Sequence, residues 1–358
     1  MRVFLTGATG FIGSRVLREL LGAGHEVLGL TRSDAGARSL KDAGADAHIG
    51  TLEDPDSLAR GAAQADAVIH TAFDHDFSRF AENCQKDYRV ITAMADALVG
   101  SDRPIVITSS TGIGNSKPGD PALERVIDWS HALPRIAGEK AAAEASERGV
   151  SVITVRLPQV HDDVRQGIVS FLVEVSKAKG LAAYVGEGQN RWPAVHVDDA
   201  ARLYRLALER NEAGARYHGV AEEGVSLRQI AETIGFELGV PVASVTKEQA
   251  PQQFGWFAPF MQMDMIASSA WTRANLNWTP SGPDLVTDLK NMDYSKVGRR
   301  ISGRVRAQRF RLHSSTSYRR NDRGGPNHTL DRALSRTSVG KTVVNGRADR
   351  GVGRDHSI

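Results

Sequence analysis

Thr6-Gly7-Ala8-Thr9-Gly10-Phe11-Ile12-Gly13 is the stretch on which the fold turns. The β-branched, apolar run Val3–Thr6 enters it, and an amphipathic helical pattern over Phe11–Leu21 leaves it. Three glycines at this spacing between a strand and a helix are the signature of a turn that holds a dinucleotide. Gly7 permits the tight turn, Gly10 lets the backbone approach a pyrophosphate with no Cβ in the way, and Gly13 lets the helix lie close to the strand. The helix N-terminus then offers free N–H groups and a partial positive charge to phosphates. Thr9, Phe11 and Ile12 belong to the same cradle.

The end of the next strand selects the dinucleotide. A site for NAD(H) places Asp or Glu there, to accept hydrogen bonds from the ribose 2′-hydroxyl. This chain has Thr31-Arg32-Ser33. Arg32 can pair with a 2′-phosphate and stack on adenine, and no carboxylate stands in that triplet to repel the phosphate. NADP(H) is therefore expected over NAD(H), with Arg38 as a second clamp.

Working outward, short apolar runs recur at Val27–Thr31, Ala47–Ile49, Ala67–His70, Ile105–Thr108 and Val152–Val155. Helical patterns lie between them at Asp56–Ala63, Asp87–Leu98 and Ile136–Ala145. Alternating strands and helices with short connections predict an α/β fold, a doubly wound parallel sheet of Rossmann type, over residues 1–160. Beyond residue 160 the rhythm loosens. Ile168–Lys177, Val197–Leu208 and Leu227–Leu238 read as helices between Gly- and Pro-containing loops. Residues 161–293 are expected to supply a smaller mixed α/β substrate lobe. Trp192, Trp256, Phe257, Phe260, Trp271 and Trp278 all fall there, either as lobe core or as the lining of an apolar pocket.

Charge divides the chain. Residues 294–358 hold 16 Lys/Arg against 4 Asp/Glu, and residues 1–293 hold 29 against 38, giving about +12 and −9. The acidic body argues against nucleic acid as the main ligand of the folded part. The tail has no Glu and no apolar periodicity, so it is expected to be disordered. Its arginines are scattered rather than gathered into a basic block. No apolar run approaches the roughly 18 residues a membrane span requires, and Met1-Arg2 runs directly into the first strand with no room for a secretory core. A lone Cys84 excludes an internal disulfide framework and a cysteine-based zinc cluster, so a reducing cytoplasm is the expected setting.

With these elements in place the chain resembles the extended short-chain dehydrogenase/reductase superfamily, the NAD-dependent epimerase/dehydratase group, over roughly residues 2–293. Besides the glycine turn, the landmarks are Gly50-Thr51-Leu52-Glu53-Asp54, Val68-Ile69-His70-Thr71-Ala72 and Ile107-Thr108-Ser109-Ser110-Thr111. Lys140, Arg156-Leu157-Pro158-Gln159-Val160 and Val195-His196-Val197-Asp198-Asp199 follow. The resemblance implies that Leu52 covers the adenine and that Thr71 and Ala72 line the ribose and phosphate path. It implies that Thr111 is the catalytic Ser/Thr, that Lys140 bonds the nicotinamide ribose, and that Pro158 and Val160 flank the nicotinamide. A homodimer through the fourth and fifth helices is a further implication. The Ala-Ala-Ala-Glu-Ala run after Lys140 supplies small residues for close helix approach.

Three positions depart from the family pattern. Thr51 and Asp87 stand where Asp and Asn are usual. In the Tyr-x-x-x-Lys signature, Ile136 stands four residues before Lys140, twenty-five after Thr111. Isoleucine performs no proton chemistry, and loss of a positioned acid is worth on the order of 10²–10⁴ in rate. Tyr88, His161, His196 and Tyr184 are candidate replacements, His70 reads as a buried structural histidine, and Asp198-Asp199 reads as an N-cap with a first-turn charge rather than as metal ligands. Three functions stay open. One is an NADP(H)-dependent oxidoreductase acting on a small carbonyl, alcohol or enone. The second is a nucleotide-sugar epimerase or dehydratase, and the third a non-catalytic NADP(H)-binding sensor or regulator.

Overall fold

A computed structural model describes residues 1–297 apart from Ser116 and Pro118. In it β1 (Arg2–Thr6) is followed by the glycine turn and α1 (Gly13–Gly22), whose buried face is Gly13, Val16, Leu17 and Leu20. The alternation continues through β2 (Glu26–Thr31), α2 (Asp34–Asp42), β3 (Asp46–Ile49), α3 (Pro55–Ala63) and β4 (Ala67–His70). It is completed by α4 (Phe80–Asp96), β5 (Pro104–Ser110), α5 (Ile136–Glu147) and β6 (Ser151–Leu157). The nine-residue α2 is absent from the sequence reading because its only buried residue is Leu40, too little to make a stripe. It starts on Ser33, whose hydroxyl accepts from Gly36 N–H.

The remaining elements are β7 (Gln159–His161), α6 (Val169–Lys179), β8 (Ala182–Val185), β9 (Arg191–His196), α7 (Val197–Arg210) and β10 (Arg216–His218). After them come β11 (Glu222–Ser226), α8 (Leu227–Leu238), β12 (Val242–Val245), α9 (Ala250–Phe254), α10 (Ala270–Leu276) and α11 (Leu285–Asn291). The main sheet has seven parallel strands in the order β10-β6-β5-β4-β1-β2-β3. The order reverses beside β1, which opens the crevice at the carboxyl ends of β1 and β4.

One face of this sheet is covered by α1 and α7, where Leu17, Leu20, Ala200, Leu203 and Ala207 share a core with Val3, Leu5 and Val155. The other face carries α3, α4 and α5, through Leu58, Val90, Met94, Ala141 and Ala145. A third core, with Val173, Trp192, Ile230, Phe257 and Leu289, builds the lobe around the sheets β11-β9-β7 and β12-β8.

Two expectations change. Residue 160 does not separate two cores: α7 covers the main sheet and β10 pairs with β6, so residues from beyond 160 complete the Rossmann part. Of the alanine run after Lys140, Ala141, Ala142 and Ala145 are buried within their own chain's core and Ala143 is half-buried. The lobe also continues past residue 293, since Tyr294 and Val297 pack against its core and Tyr294 Oη–H donates to the Leu289 carbonyl at 2.9 Å. The rest of the tail lies outside the described residues. Among those described, no helix is long and apolar enough to cross a membrane.

Candidate cofactor and active site

The glycine turn has the geometry its sequence requires. Gly7 has φ +70°, and a Cβ on it would meet Thr71 Oγ1 at 2.8 Å and Ala72 N at 2.9 Å. A Cβ on Gly13 would lie 2.0 Å from the Gly7 carbonyl oxygen, so α1 reaches β1 only because that side chain is absent. Gly10 and Thr9 are exposed, Phe11 and Ile12 half-buried. No side chain caps α1 and its first turn holds no carboxylate, so its positive end is left to a ligand. Thr71 Oγ–H donates to the Thr6 carbonyl at 2.7 Å and Ala72 N–H to Thr6 Oγ1 at 3.2 Å, fixing the far wall of the crevice. These residues fit a dinucleotide pyrophosphate.

Arg32 and Arg38 are both exposed beside the end of β2, and neither takes a side-chain partner among the described residues. Leu52 is half-buried after β3. Next to it Glu53 accepts from Lys86 Nζ at 2.5 Å, and the same ammonium reaches Asp74 at 3.1 Å. Lys86, on α4, thereby ties the segment after β3 to the segment after β4. Pro158 is half-buried and Val160 buried.

The polar side chains of α5 that turn towards the sheet lie one residue before the expected ones. Lys140 is exposed, and it lines a shallow recess between α4 and α5 with Gln85, Tyr88, His131 and Ile136. A shift of one position turns a helix by about 100°, and the α5 side chains that reach the sheet belong to Arg135, at its N-cap, and Glu139. Arg135 NH1 donates to Asp87 at 2.5 Å and NH2 to the Thr108 carbonyl at 2.7 Å. Glu139 accepts from Ser109 Oγ at 2.9 Å, and from Arg156 through Nε at 2.6 Å and NH2 at 2.8 Å. Both expected spacings survive the shift: Ser110 stands twenty-five residues before Arg135, and Glu139 four after it. Ser110 is half-buried at the end of β5, whereas Thr111 is buried. Ser110, Arg135 and Glu139 thus repeat, one residue earlier, the spacings read for Thr111, Ile136 and Lys140.

Two buried polar chains meet at α5. In the first, Thr6 Oγ1 and His70 Nδ1 are 2.7 Å apart, and His70 Nε2 is 3.0 Å from Asp87 Oδ1. Asp87 then pairs with Arg135. Burial pushes the Asp87 carboxyl upward, but Arg135 and His70 outweigh it and leave the group below the usual carboxylate range. His70 is thus a structural histidine, and it couples the glycine turn to Arg135. In the second chain, Arg156 pulls Glu139 down in the same way against its burial. His218, beside Arg156, is pushed down to about 3 by burial and that neighbouring charge, so it is neutral. Arg156 also donates to the Val126 carbonyl at 2.9 Å, fastening the long connection before α5 to the sheet.

The proposed replacement acids lie apart from this centre. Tyr88 Oη–H donates to Glu144 on the outer side of α4 and α5. His161 is fully buried, 2.7 Å from Asp288, and His196 packs edge-on against it. Tyr184 lies on β8 under Arg228. Asp198 pairs with Arg15, and Asp199 accepts from Ser281 and Gly282 N–H, while the N-cap of α7 is His196. Arg135 and Glu139 escaped the sequence reading because an i, i+4 Arg–Glu pair ordinarily marks a solvated helix face, whereas Asp87 stood out only as a departure from the family pattern. The pair's one legible oddity is the place it occupies beside the family's catalytic positions.

The description "NAD dependent epimerase/dehydratase family" matches residues 3–220. An uncharacterized protein of Schizosaccharomyces pombe is 46% identical over 82% of this chain and 100% of its own length. An uncharacterized protein of Saccharomyces cerevisiae is 41% identical over 81% of this chain and 98% of its own. The crystal structure of UDP-glucose 4-epimerase from Thermotoga maritima with UDP-glucose superposes with a TM-score of 0.64 over 82% of this chain and 97% of that one. At 20% identity that likeness is one of fold.

Proposed function

The chain belongs to the NAD-dependent epimerase/dehydratase family, and from that premise we propose that it is an NADP(H)-dependent oxidoreductase acting on a small carbonyl or alcohol. The observation that carries the cofactor preference is the end of β2, where Arg32 and Arg38 are exposed and unpaired and the usual carboxylate is missing. A guanidinium there favours a 2′-phosphate and has nothing to offer a bare 2′-hydroxyl that a carboxylate would not offer better.

NADP(H), when bound, supplies or accepts the hydride. The open end of α1 and the Gly7–Gly13 turn hold its pyrophosphate, Leu52 covers adenine, Thr71 and Ala72 line the path, and Pro158 and Val160 flank the nicotinamide. Ser110 Oγ–H holds the substrate oxygen. Arg135 keeps a fixed positive charge beside it; a guanidinium stays protonated at working pH, so the proton exchanged at the substrate oxygen comes from water. The engagement of both Arg135 and Glu139 in buried ion pairs supports a second reading, a cofactor-binding sensor with no turnover.

Purified protein titrated with NADPH and NADH is expected to bind NADPH tighter by roughly tenfold or more, since one charge-assisted contact is worth about 1.5–3 kcal/mol. Arg32→Ala removes most of that preference. Equal affinity for both cofactors in the unaltered protein refutes the NADP(H) assignment. NADPH consumption against a panel of carbonyls separates the enzyme from the sensor.

A further inference from the structure

We infer that the crevice encloses a flat, apolar carbonyl compound, aromatic or conjugated, under a latch formed by Phe77 and Trp256; this rests on the crevice being the oxidoreductase site proposed above. The inference starts from a continuous row of rings. Phe73 follows Thr71 and Ala72 at the carboxyl end of β4, and the Arg135 guanidinium lies 4.2 Å from its ring centre. Phe73 meets Phe80 edge-on at 6.1 Å, and Phe80 meets Phe77 at 5.6 Å. Phe77 then stacks on Trp256, with ring centres 5.7 Å apart and planes inclined by 19°. Trp256 belongs to the turn after α9 and is backed by Phe171 at 5.1 Å and Phe257 at 5.3 Å. The row therefore runs from Arg135 to the wall of the lobe.

Core packing does not account for this row. Phe257, Trp192 and Trp278 are at most 1% exposed and already fill the interior, whereas Trp256 remains 53% exposed. Phe73 and Phe77 are half-buried on the segment between β4 and α4, which holds only the short 3-10 turn Phe77–Arg79, and Phe80 is half-buried at the first position of α4. Exposed ring faces lose the burial that would stabilise them, and a flat apolar ligand restores it.

The charges beside the row point the same way. Arg135 is taken by Asp87 and Thr108, Lys86 by Glu53 and Asp74, and Arg79 by Asp76 and Glu82. That leaves, of the three, only the largely exposed Arg79 for the diphosphate of a nucleotide sugar. A neutral ligand with a π-face makes no such demand.

The test uses the full chain saturated with NADP⁺, titrated with cinnamaldehyde, butanal and UDP-glucose by calorimetry and tryptophan fluorescence. Cinnamaldehyde is expected to bind about tenfold tighter than butanal, with UDP-glucose weakest. Phe77→Ala and Trp256→Ala should each weaken cinnamaldehyde roughly two- to tenfold, as loss of one ring contact implies, while Trp256→Phe retains most of the affinity. Both sites are partly exposed, and unchanged thermal melts check that the variants fold. Equal binding of cinnamaldehyde and butanal, tighter binding of UDP-glucose, or indifference to Phe77→Ala and Trp256→Ala each overturns the latch. If neither NADPH nor NADP⁺ binds, the oxidoreductase reading falls with it; intact cofactor binding without the ring preference overturns the latch alone.

Discussion

Arg135→Met tests the buried polar chain at the start of α5. The substitution keeps most of the side chain's volume but leaves Asp87, fully buried and bonded to His70, without its cation. Removing one partner of a buried pair costs about 3–5 kcal/mol, because the remaining charge is desolvated and uncompensated. Against a total stability of about 5–15 kcal/mol this is a large fraction. At about 2–4 °C per kcal/mol for a chain of this size it lowers Tm by roughly 6–20 °C.

The loss has a signed pH dependence. In the unaltered protein Asp87 titrates below its unfolded value, so its contribution is present above the unfolded pKa and disappears as pH falls through the lowered folded one. Without Arg135 the balance moves toward burial, and the folded pKa rises. The variant is then most penalised at neutral pH, and its deficit shrinks as the carboxyl takes up a proton. Thermal melts at pH 7 and about pH 4.5 should show the gap between the two proteins narrowing on acidification. The double variant Asp87→Asn/Arg135→Met should recover much of the loss at pH 7. A deficit below about 1 kcal/mol, or one equal at both pH values, would show that the pair is solvated and the chain of contacts does not hold.

Four further outcomes follow from the glycine turn, from α5 and from the end of β5. Gly10→Val should fold and lose NADPH binding, since a Cβ there touches only the Gly7 carbonyl at 3.0 Å, whereas Gly13→Ala should melt well below the unaltered protein because its Cβ would lie 2.0 Å from that oxygen; normal NADPH affinity in folded Gly10→Val would place the cofactor elsewhere. Lys140→Ala should leave NADPH affinity unchanged and Ser110→Ala should lower turnover at unchanged affinity, as measured by titration and NADPH consumption, whereas a roughly tenfold loss on Lys140→Ala, about 1.4 kcal/mol, would return the lysine to the cofactor.

The glycine turn, the parallel alternation and the carboxyl ends of β1 to β4 were legible because short-range rules set them: glycine conformations, β-branched runs and an amphipathic α1. Helix phase at α5 was not. The segment Ile136–Glu147 is alanine-rich on several sides, so its hydrophobic pattern defines no sharp face, and a slip of one residue leaves every spacing intact while turning Lys140 outward and Glu139 inward. Only the third dimension distinguishes a buried Arg–Glu spacing from a surface one. β10 was missed for a related reason. Arg216–His218 is three residues long and polar at its ends, and it becomes a strand because β6 offers an unpaired edge. The helical pattern over Asp87–Leu98 covers only the later turns of α4, because Glu82, Asn83 and Gln85 interrupt it, whereas the resemblance places the fourth helix at about residues 79–99.

The late arrival of α7 and β10 bears on how the chain is made. As residues leave the ribosome in order, the first six strands emerge while β6 is still an open edge and the face that α7 will cover is bare. An uncovered apolar face and an unpaired edge are the features that recruit other chains. The nascent protein therefore passes through a window, from the emergence of Leu157 to that of His218, in which it is most exposed to aggregation and most in need of a chaperone.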